Sequence, residues 1–439
     1  MQARILTVSG RRRAFWRTAG MLVLITVIGN VPLSAQYISP GVVETTRAIP
    51  DKEVFDKSID QVGWNLGSLR VRPWYGLRDA AFVSTRDQET ATSEEDFTLT
   101  FGAGLRAYLP TGKLMWSAHA LPEYVWWQDD EAKRGLNGRY GLGVFGYFNR
   151  LRFEVSGRRV ERQEFFSAEV QELTSTAIDT SRLSVEVDVA RRLGLFGSAE
   201  LRTFRSEEVE SALFPRLDRD EDVFTVGLRY HSPRGWYTAL ALEDRTTEFP
   251  AEARDLSNSG TSELLELGFT GGRFGARLAL AFRDLEADAG SDFGRFNETT
   301  GSLEILGKPS ARVALLTYAR RGQTFSVDLR NAFILSERQG VRFNYTYRSS
   351  VFGVFAEVGE DELAAVGSLV AQRIDDVNVL GADVRFDIGD LLGVSLQVLY
   401  SEYDSNFDSF DRDVTDVGFS VQLGSLIDKL RLGQAAEDW

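Results

Sequence analysis

The 439-residue chain has no cysteine, two histidines (His119 and His231) and only ten prolines. Without cysteine there is no disulfide framework, no thiolate nucleophile and no cysteine-ligated metal. Two histidines leave little material for a histidine metal site or a histidine general base. Apolar runs of membrane-helix length, which need roughly 20 residues, are also missing. A membrane protein without such helices must close its backbone hydrogen bonds as a barrel.

The first apolar stretch, Met21 to Val31, is too short to span a bilayer. It follows the basic residues Arg11, Arg12, Arg13 and Arg17 and leads into Pro32-Leu33-Ser34-Ala35. This is the pattern of an export signal, with cleavage expected after Ala35. Residues 1–35 carry five arginines and no acids, so their removal takes the net charge from −14 to −19. So acidic a chain repels phosphate backbones, and no nucleic-acid partner is expected.

What the sequence does have is period-two alternation. Phe97, Leu99, Phe101, Ala103, Leu105 and Ala107 share one face, against Thr98, Thr100, Gly102, Gly104 and Arg106. Leu183, Val185, Val187 and Val189 oppose Ser184, Glu186 and Asp188. Phe274 to Phe282, Val341 to Tyr347 and Ala382 to Ile388 repeat the pattern. Strands produce it because successive side chains point to opposite faces. The alternating segments span about 10–14 residues, longer than the five or six usual in soluble sheets and enough for a tilted membrane strand.

The connections alternate too. Tight turns are expected at 110–112, 148–150, 232–235, 271–272, 307–310 and 389–390. Longer, mostly acidic loops are expected at 85–94, 128–135, 164–179, 205–221, 249–260, 286–295 and 405–412. Aromatic residues sit near segment ends: Trp74 and Tyr75, Trp126 and Trp127, Tyr147 and Phe148, Trp236 and Tyr237, Tyr400 and Tyr403. Short turns on one side, long loops on the other and aromatic girdles describe an outer-membrane barrel.

The fold expected is therefore all-β: a transmembrane antiparallel up-and-down barrel of about 18 strands, within 16–20, the number being even. Residues 351–374 read either as one strand with a long outer loop or as two short strands. A soluble sandwich would also alternate, but between residues 63 and 424 there is no proline-rich linker or shift in composition. The division is 1–35 signal peptide, 36–62 periplasmic leader or partial plug, 63–424 barrel and 425–439 periplasmic tail.

Residues 372–423 resemble a known family. The stretches are Gln372-Arg373-Ile374-Asp375-Asp376, Leu396 to Tyr400, Tyr403-Asp404-Ser405 and Phe419-Ser420-Val421. They are similar to β-barrel porins of Gram-negative outer membranes found with exopolysaccharide or exosortase loci. In those, an Arg-x-Asp-Asp motif opens a strand hairpin and a Tyr-x-x-x-x-Ser motif precedes an outer loop. Leu69 to Trp127 has a similar rhythm. The resemblance implies an outer-membrane barrel linked to surface polysaccharide, and no catalytic residues.

Other motifs fail for want of context. Gly141-x-Gly143-x-x-Gly146 matches a dinucleotide fingerprint, but it lies inside an alternating strand with no helix behind it. Asp404, Asn406 and Asp408 have calcium-ligand spacing, yet Ser409 stands where the loop needs glycine and Thr415 where it needs glutamate. A barrel hydrolase would have to recruit His119 or His231, neither with a partner in view. The expectation is no catalysis and no cofactor.

The chemistry expected is a charged lumen face: Arg106, Arg152, Glu154, Glu186, Asp188, Glu200, Arg202, Arg229, Arg277, Arg283, Asp328, Arg342 and Arg385, with Arg158, Glu266, Glu304, Arg330, Arg348, Asp383 and Asp387 beside them. Both signs at this density do not suit a dry core, where each unpaired ion costs several kcal/mol. They suit a wet passage for small polar solutes. The other reading is a non-conducting or accessory barrel of exopolysaccharide export. Expected partners are outer-membrane lipid and lipopolysaccharide, the barrel-assembly machinery and, by resemblance, exopolysaccharide; no feature demands a trimer.

Overall fold

The computed structural model describes residues 48–60, 64–87, 93–129, 131, 134–167, 170–206, 218–250, 255–326, 330–366, 372–388, 392–407 and 410–423. One helix, α1 (Lys52–Asp60), precedes a three-residue strand β1 (Trp64–Leu66). The long strands follow: β2 (Leu69–Asp87), β3 (Ser93–Thr111), β4 (Leu114–Trp127), β5 (Gly135–Tyr147), β6 (Leu151–Ser167) and β7 (Val170–Ala190). Next come β8 (Leu193–Ser206), β9 (Arg219–His231), β10 (Trp236–Glu248), β11 (Asn258–Thr270), β12 (Phe274–Ala287) and β13 (Arg295–Ser310). The last are β14 (Val313–Phe325), β15 (Asn331–Tyr347), β16 (Ser350–Ala365), β17 (Arg373–Ile388), β18 (Leu392–Ser405) and β19 (Arg412–Leu423).

Each long strand pairs antiparallel with the next, and β19 pairs back to β2 through registers such as Val417↔Phe82. The ladder thus closes into an up-and-down ring of the eighteen strands β2 to β19, with β1 a short hairpin on β2. Closure leaves no sheet edge, which is what a chain without spanning helices requires. The ambiguous stretch 351–374 is one strand, β16, followed by a connection into β17.

The faces are inverted relative to a soluble protein. Leu240 is 56% exposed while its neighbour Ala239 is fully enclosed. Leu228 and Leu265, its register partners, lie on the same outward face. Phe101, Leu142, Val185, Leu303, Val354 and Leu396 continue this exposed apolar belt around the ring. Above it, outward positions turn acidic: Asp244 on β10, Glu263 on β11 and Asp284 on β12. Such a belt belongs against acyl chains, because water would leave every one of these residues unburied.

Period two also splits each adjacent aromatic pair. Trp236 is exposed outward and Tyr237 faces inward; Tyr75 is exposed and Trp74 buried; Trp127 is buried while Trp126 lies on the outer face. Outward rings meet in pairs beside the short turns, as in Tyr230–Trp236 at 5.3 Å and Phe269–Phe274 at 6.0 Å. The expected girdle is there, with half of the named rings; the others line the lumen.

Two local expectations are corrected. Residues 164–179 are not a long loop: β6 runs to Ser167 and β7 starts at Val170. Thr174, Thr176 and Ile178 favour extended backbone, but with no lipid to face there is no apolar alternation to read. The turn placed at 307–310 lies instead at Ala311-Arg312, and Gly307 to Ser310 forms a register irregularity within β13 that accommodates Pro309. Within the leader or partial plug expected at 36–62, residues 52–60 form α1. Asp51 stands just before its first residue, Glu53 lies in its first turn, and Phe55 and Ile59 share one face at i, i+4. The expected turn at 389–390 and the tail 425–439 lie outside the described residues.

Apolar clusters sit at both ends of the barrel, and others, such as Phe196, Ala239, Ala241, Leu264 and Ala281, lie on the inner face between them. At the short-turn end, Ile49 and Phe55 pack on Tyr108, Met115 and Phe145 from the inner faces of β3, β4 and β5. At the long-loop end, the connections β10–β11, β12–β13 and β14–β15 meet through Phe249, Phe293, Phe325 and Phe333. Phe325 stacks edge-on against Phe249 at 4.9 Å. The Arg219 guanidinium of β9 lies 5.1 Å from the Phe325 ring, so this cluster reaches the lumen face of a strand five places away.

Candidate functional site

The lumen wall is set by register. Antiparallel partners share a face, so one inward residue fixes all those in its rung. Three layers of charge result. Beside the short turns, Arg152 on β6 donates to Glu186 on β7 at 2.8 Å and to Asp51, just ahead of α1, at 3.0 Å. Arg229 on β9 donates to the second oxygen of Glu186 at 3.2 Å, and Asp188 lies 3.9 Å from Arg152.

A second layer crosses β6 to β10. Arg182 donates to Glu200 at 2.6 Å and lies 3.8 Å from Glu154, which also accepts from Ser156. Arg202 donates to the other Glu200 oxygen at 2.6 Å and stands 3.6 Å from Glu221. Arg245 lies 3.9 Å from Glu221 and donates to Glu243 at 3.3 Å. Nearly all of these groups are buried within the wall. Removing any one would strand a partner in low dielectric.

The third layer lies on β14 to β17. The Tyr318 hydroxyl donates to Glu357 at 2.6 Å, Arg338 lies 3.6 Å from Glu357 and donates to Asp361 at 2.6 Å, and Arg342 donates to Asp383 at 2.5 Å. Further pairs are Arg277 with Glu266, Arg320 with Glu304 and Arg385 with Asp387.

These pairs are not symmetric toward the lumen. Arg152 is 22% exposed against 2% for Glu186, and Arg320 is 33% exposed against 16% for Glu304. Arg202 over Glu200 and Arg277 over Glu266 follow the same order. In these four pairs the arginine is the more exposed member, whereas Asp188, at 47%, is more exposed than Arg152, and Glu200 slightly more than Arg182. On β17 the order reverses, with Asp387 more exposed than Arg385.

Of the expected wall residues, Arg152, Glu154, Glu186, Asp188, Glu200, Arg202, Arg229, Arg277, Arg283, Arg342 and Arg385 stand on inward-facing positions. Arg106 also faces inward, paired in register with Arg72 and His119. Asp328 lies outside the described residues. Two neighbours named with them are corrected. Arg348 is exposed in the two-residue turn between β15 and β16, at φ 55°, and Arg330 is exposed in the connection before β15. Both lie where the strand, and with it the alternation, has ended.

Sequence reasoning missed Arg182, Glu221, Glu243, Arg338, Glu357, Asp361 and Asp375. The signal was available: Arg182 and Arg338 are an even number of residues from Glu186 and Arg342. Beside Arg338 the outward neighbours Glu337 and Gln339 are polar and carry no apolar signal, whereas Arg182 and Glu243 adjoin the outward Leu183 and Leu242 and are legible by parity.

The glycine fingerprint is a strand feature. Gly141 faces His119, and a Cβ there would lie 2.4 Å from the imidazole Cε1, so glycine makes room for the ring. His119 is buried on β4 and His231 exposed at the end of β9, so the two histidines do not form one site. Asn406 spends its amide on the β16–β17 connection, accepting from the Ile374 amide and donating to the Gln372 carbonyl. Asp404 is exposed on β18 and Asp408 lies outside the described residues. Among the described residues no three His, Asp or Glu side chains converge as a metal site.

No family model and no curated protein matches this chain. Solved structures do. A BenF-like porin from Pseudomonas fluorescens is similar with 14% identity over 81% of this chain and 98% of that one, at a TM-score of 0.51. The outer membrane protein OpdK from Pseudomonas aeruginosa is similar with 12% identity over 80% of this chain and 98% of that one, at a TM-score of 0.50. The structure of OpdK with vanillate gives the same figures. At such identities the likeness shows a common fold, the porin-type β-barrel.

Proposed function

We propose that this chain is an outer-membrane diffusion channel that passes small polar solutes, anions in preference, without chemical conversion. The observation that carries the reading is the inversion of faces around a closed eighteen-strand ring: an apolar belt outside and layered arginine–carboxylate pairs inside. Barrels of 16–18 strands leave room for an aqueous passage. Arg202, Arg277 and Arg320 are more exposed than the carboxylates they pair with, which gives this part of the water-facing wall a positive bias. OpdK, whose fold is similar, has been crystallised with vanillate, a small carboxylate, in keeping with that bias.

In this reading the short turns face the periplasm, the acidic outer rim meets lipopolysaccharide, and the barrel-assembly machinery inserts the chain. The experiment is single-channel recording in planar bilayers under a salt gradient. Stable steps with an anion-selective reversal potential are expected. Silence from correctly folded protein would sink the channel reading and favour the accessory role in exopolysaccharide export that the sequence resemblance implies.

A further inference from the structure

Beside the short turns the wall does something a plain water-filled bore would not. Tyr108, Met115 and Phe145 all point inward, and all three are buried. What covers them is the chain's own amino-terminal segment. Ile49 and Phe55 sit on this patch, each almost wholly enclosed, and the Phe55 ring lies 4.7 Å from Phe145 and 6.3 Å from Tyr108.

Polar contacts also fix the segment to the wall. The Tyr147 hydroxyl donates to the Pro50 carbonyl at 2.8 Å, and Arg152 donates to Asp51 at 3.0 Å. The second contact is shared, since Arg152 also holds Glu186, which in turn holds Arg229. The segment is thereby joined to the first charge layer. It meets β3, β4 and β5 through the apolar patch and β6 through Arg152. Its tether is short: β1 follows within a few residues and pairs at once with β2.

We propose that residues 48–60 are a hinged plug that narrows the short-turn mouth and must leave its seat for full conductance. The proposal rests on the channel reading and adds its regulation. The seat consists of an aromatic–methionine patch for Phe55 and a guanidinium latch for Asp51. When the plug swings out, Arg152 keeps Glu186 as a partner, so release strands no buried carboxylate.

The test uses the absence of native cysteine. A Phe55→Cys, Phe145→Cys double variant of the full chain, bridged by a short thiol-reactive crosslinker, holds the plug seated. Deletion of 48–60 removes it, and Asp51→Ala loosens the latch. An α-helix is about 10 Å across, so its removal from the mouth should raise the single-channel conductance roughly twofold. The crosslinked form should stay at the low level, and Asp51→Ala should flicker between the two.

Equal conductance of the wild-type, crosslinked and deleted forms would overturn the plug while leaving the channel intact. Silence of the folded deletion variant would overturn the channel and the plug together. A silent wild type with a conducting deletion variant supports both. Labelling of a single Phe55→Cys variant by a water-soluble maleimide is an independent readout. Slow modification in the folded barrel is expected, and modification as fast as in urea would refute seating.

Discussion

Arg72 on β2 and Arg106 on β3 stand directly opposite each other on the lumen face, and the next partner along the rung, on β4, is His119. Like charges facing across a ladder destabilise it by about 0.2–1 kcal/mol. In the channel reading proposed above, this rung presents positive charge to a passing anion. Arg106→Glu should therefore stabilise the fold by up to about 1 kcal/mol and move the reversal potential toward cations. An unchanged reversal potential would remove this rung from the solute path.

Arg338 tests whether the buried pairs bind the barrel together. It is enclosed with Glu357 and Asp361, and replacing it by leucine leaves both carboxylates without its charge. A loss of about 3–5 kcal/mol is expected, the usual cost of breaking a buried ion pair. Arg205→Ala, which breaks an exposed pair with Asp220, should cost at most about 1 kcal/mol. Urea unfolding of the vesicle-inserted barrel measures both, and similar shifts would mean that the lumen wall is as wet as the outer surface.

Leu240 marks the lipid belt. Leu240→Arg should cost about 2–4 kcal/mol if the residue lies near the bilayer midplane, whereas Thr261→Arg, close to the acidic rim, should cost at most about 1 kcal/mol. Equal costs in folding titrations into vesicles would contradict the depth assigned to the belt.

Phe325 tests the aromatic cluster over the long-loop mouth. Phe325→Ala removes the contacts with Phe249 and Phe293 and the face against which Arg219 lies. Amide hydrogen exchange at 255–258 and 288–294 should accelerate while the strands of the barrel stay protected. Unchanged exchange in those connections would show that backbone pairing alone holds them.

The sequence was most legible where lipid lies on one side and water on the other. That contrast is what makes Leu183 to Val189 or Phe274 to Phe282 alternate, and there strand, face and inward charges could all be read. It disappears in the outer part of β7, Val170 to Asp179, whose sequence carries no apolar alternation. Polar hairpin and loop then look alike. It disappears again at α1, whose single buried face offers only Phe55 and Ile59 as a repeat, too few to stand out among residues 36–62. Pairing between guanidinium and carboxylate depends on register across neighbouring strands, which no single strand encodes; the inward arginines could be named, but not which of Glu186 or Asp188 would hold Arg152.

The hairpin of β6 and β7 has a consequence for whatever approaches the cell. Val170 to Asp179 extend β7 beyond the apolar row Leu183 to Val189 by about 30 Å of strand at the spacing of extended backbone. Because this extension is hydrogen-bonded ladder rather than loose coil, it forms a stiff parapet on one flank of the mouth. A bulky polymer arriving from that side meets the parapet before it meets the opening.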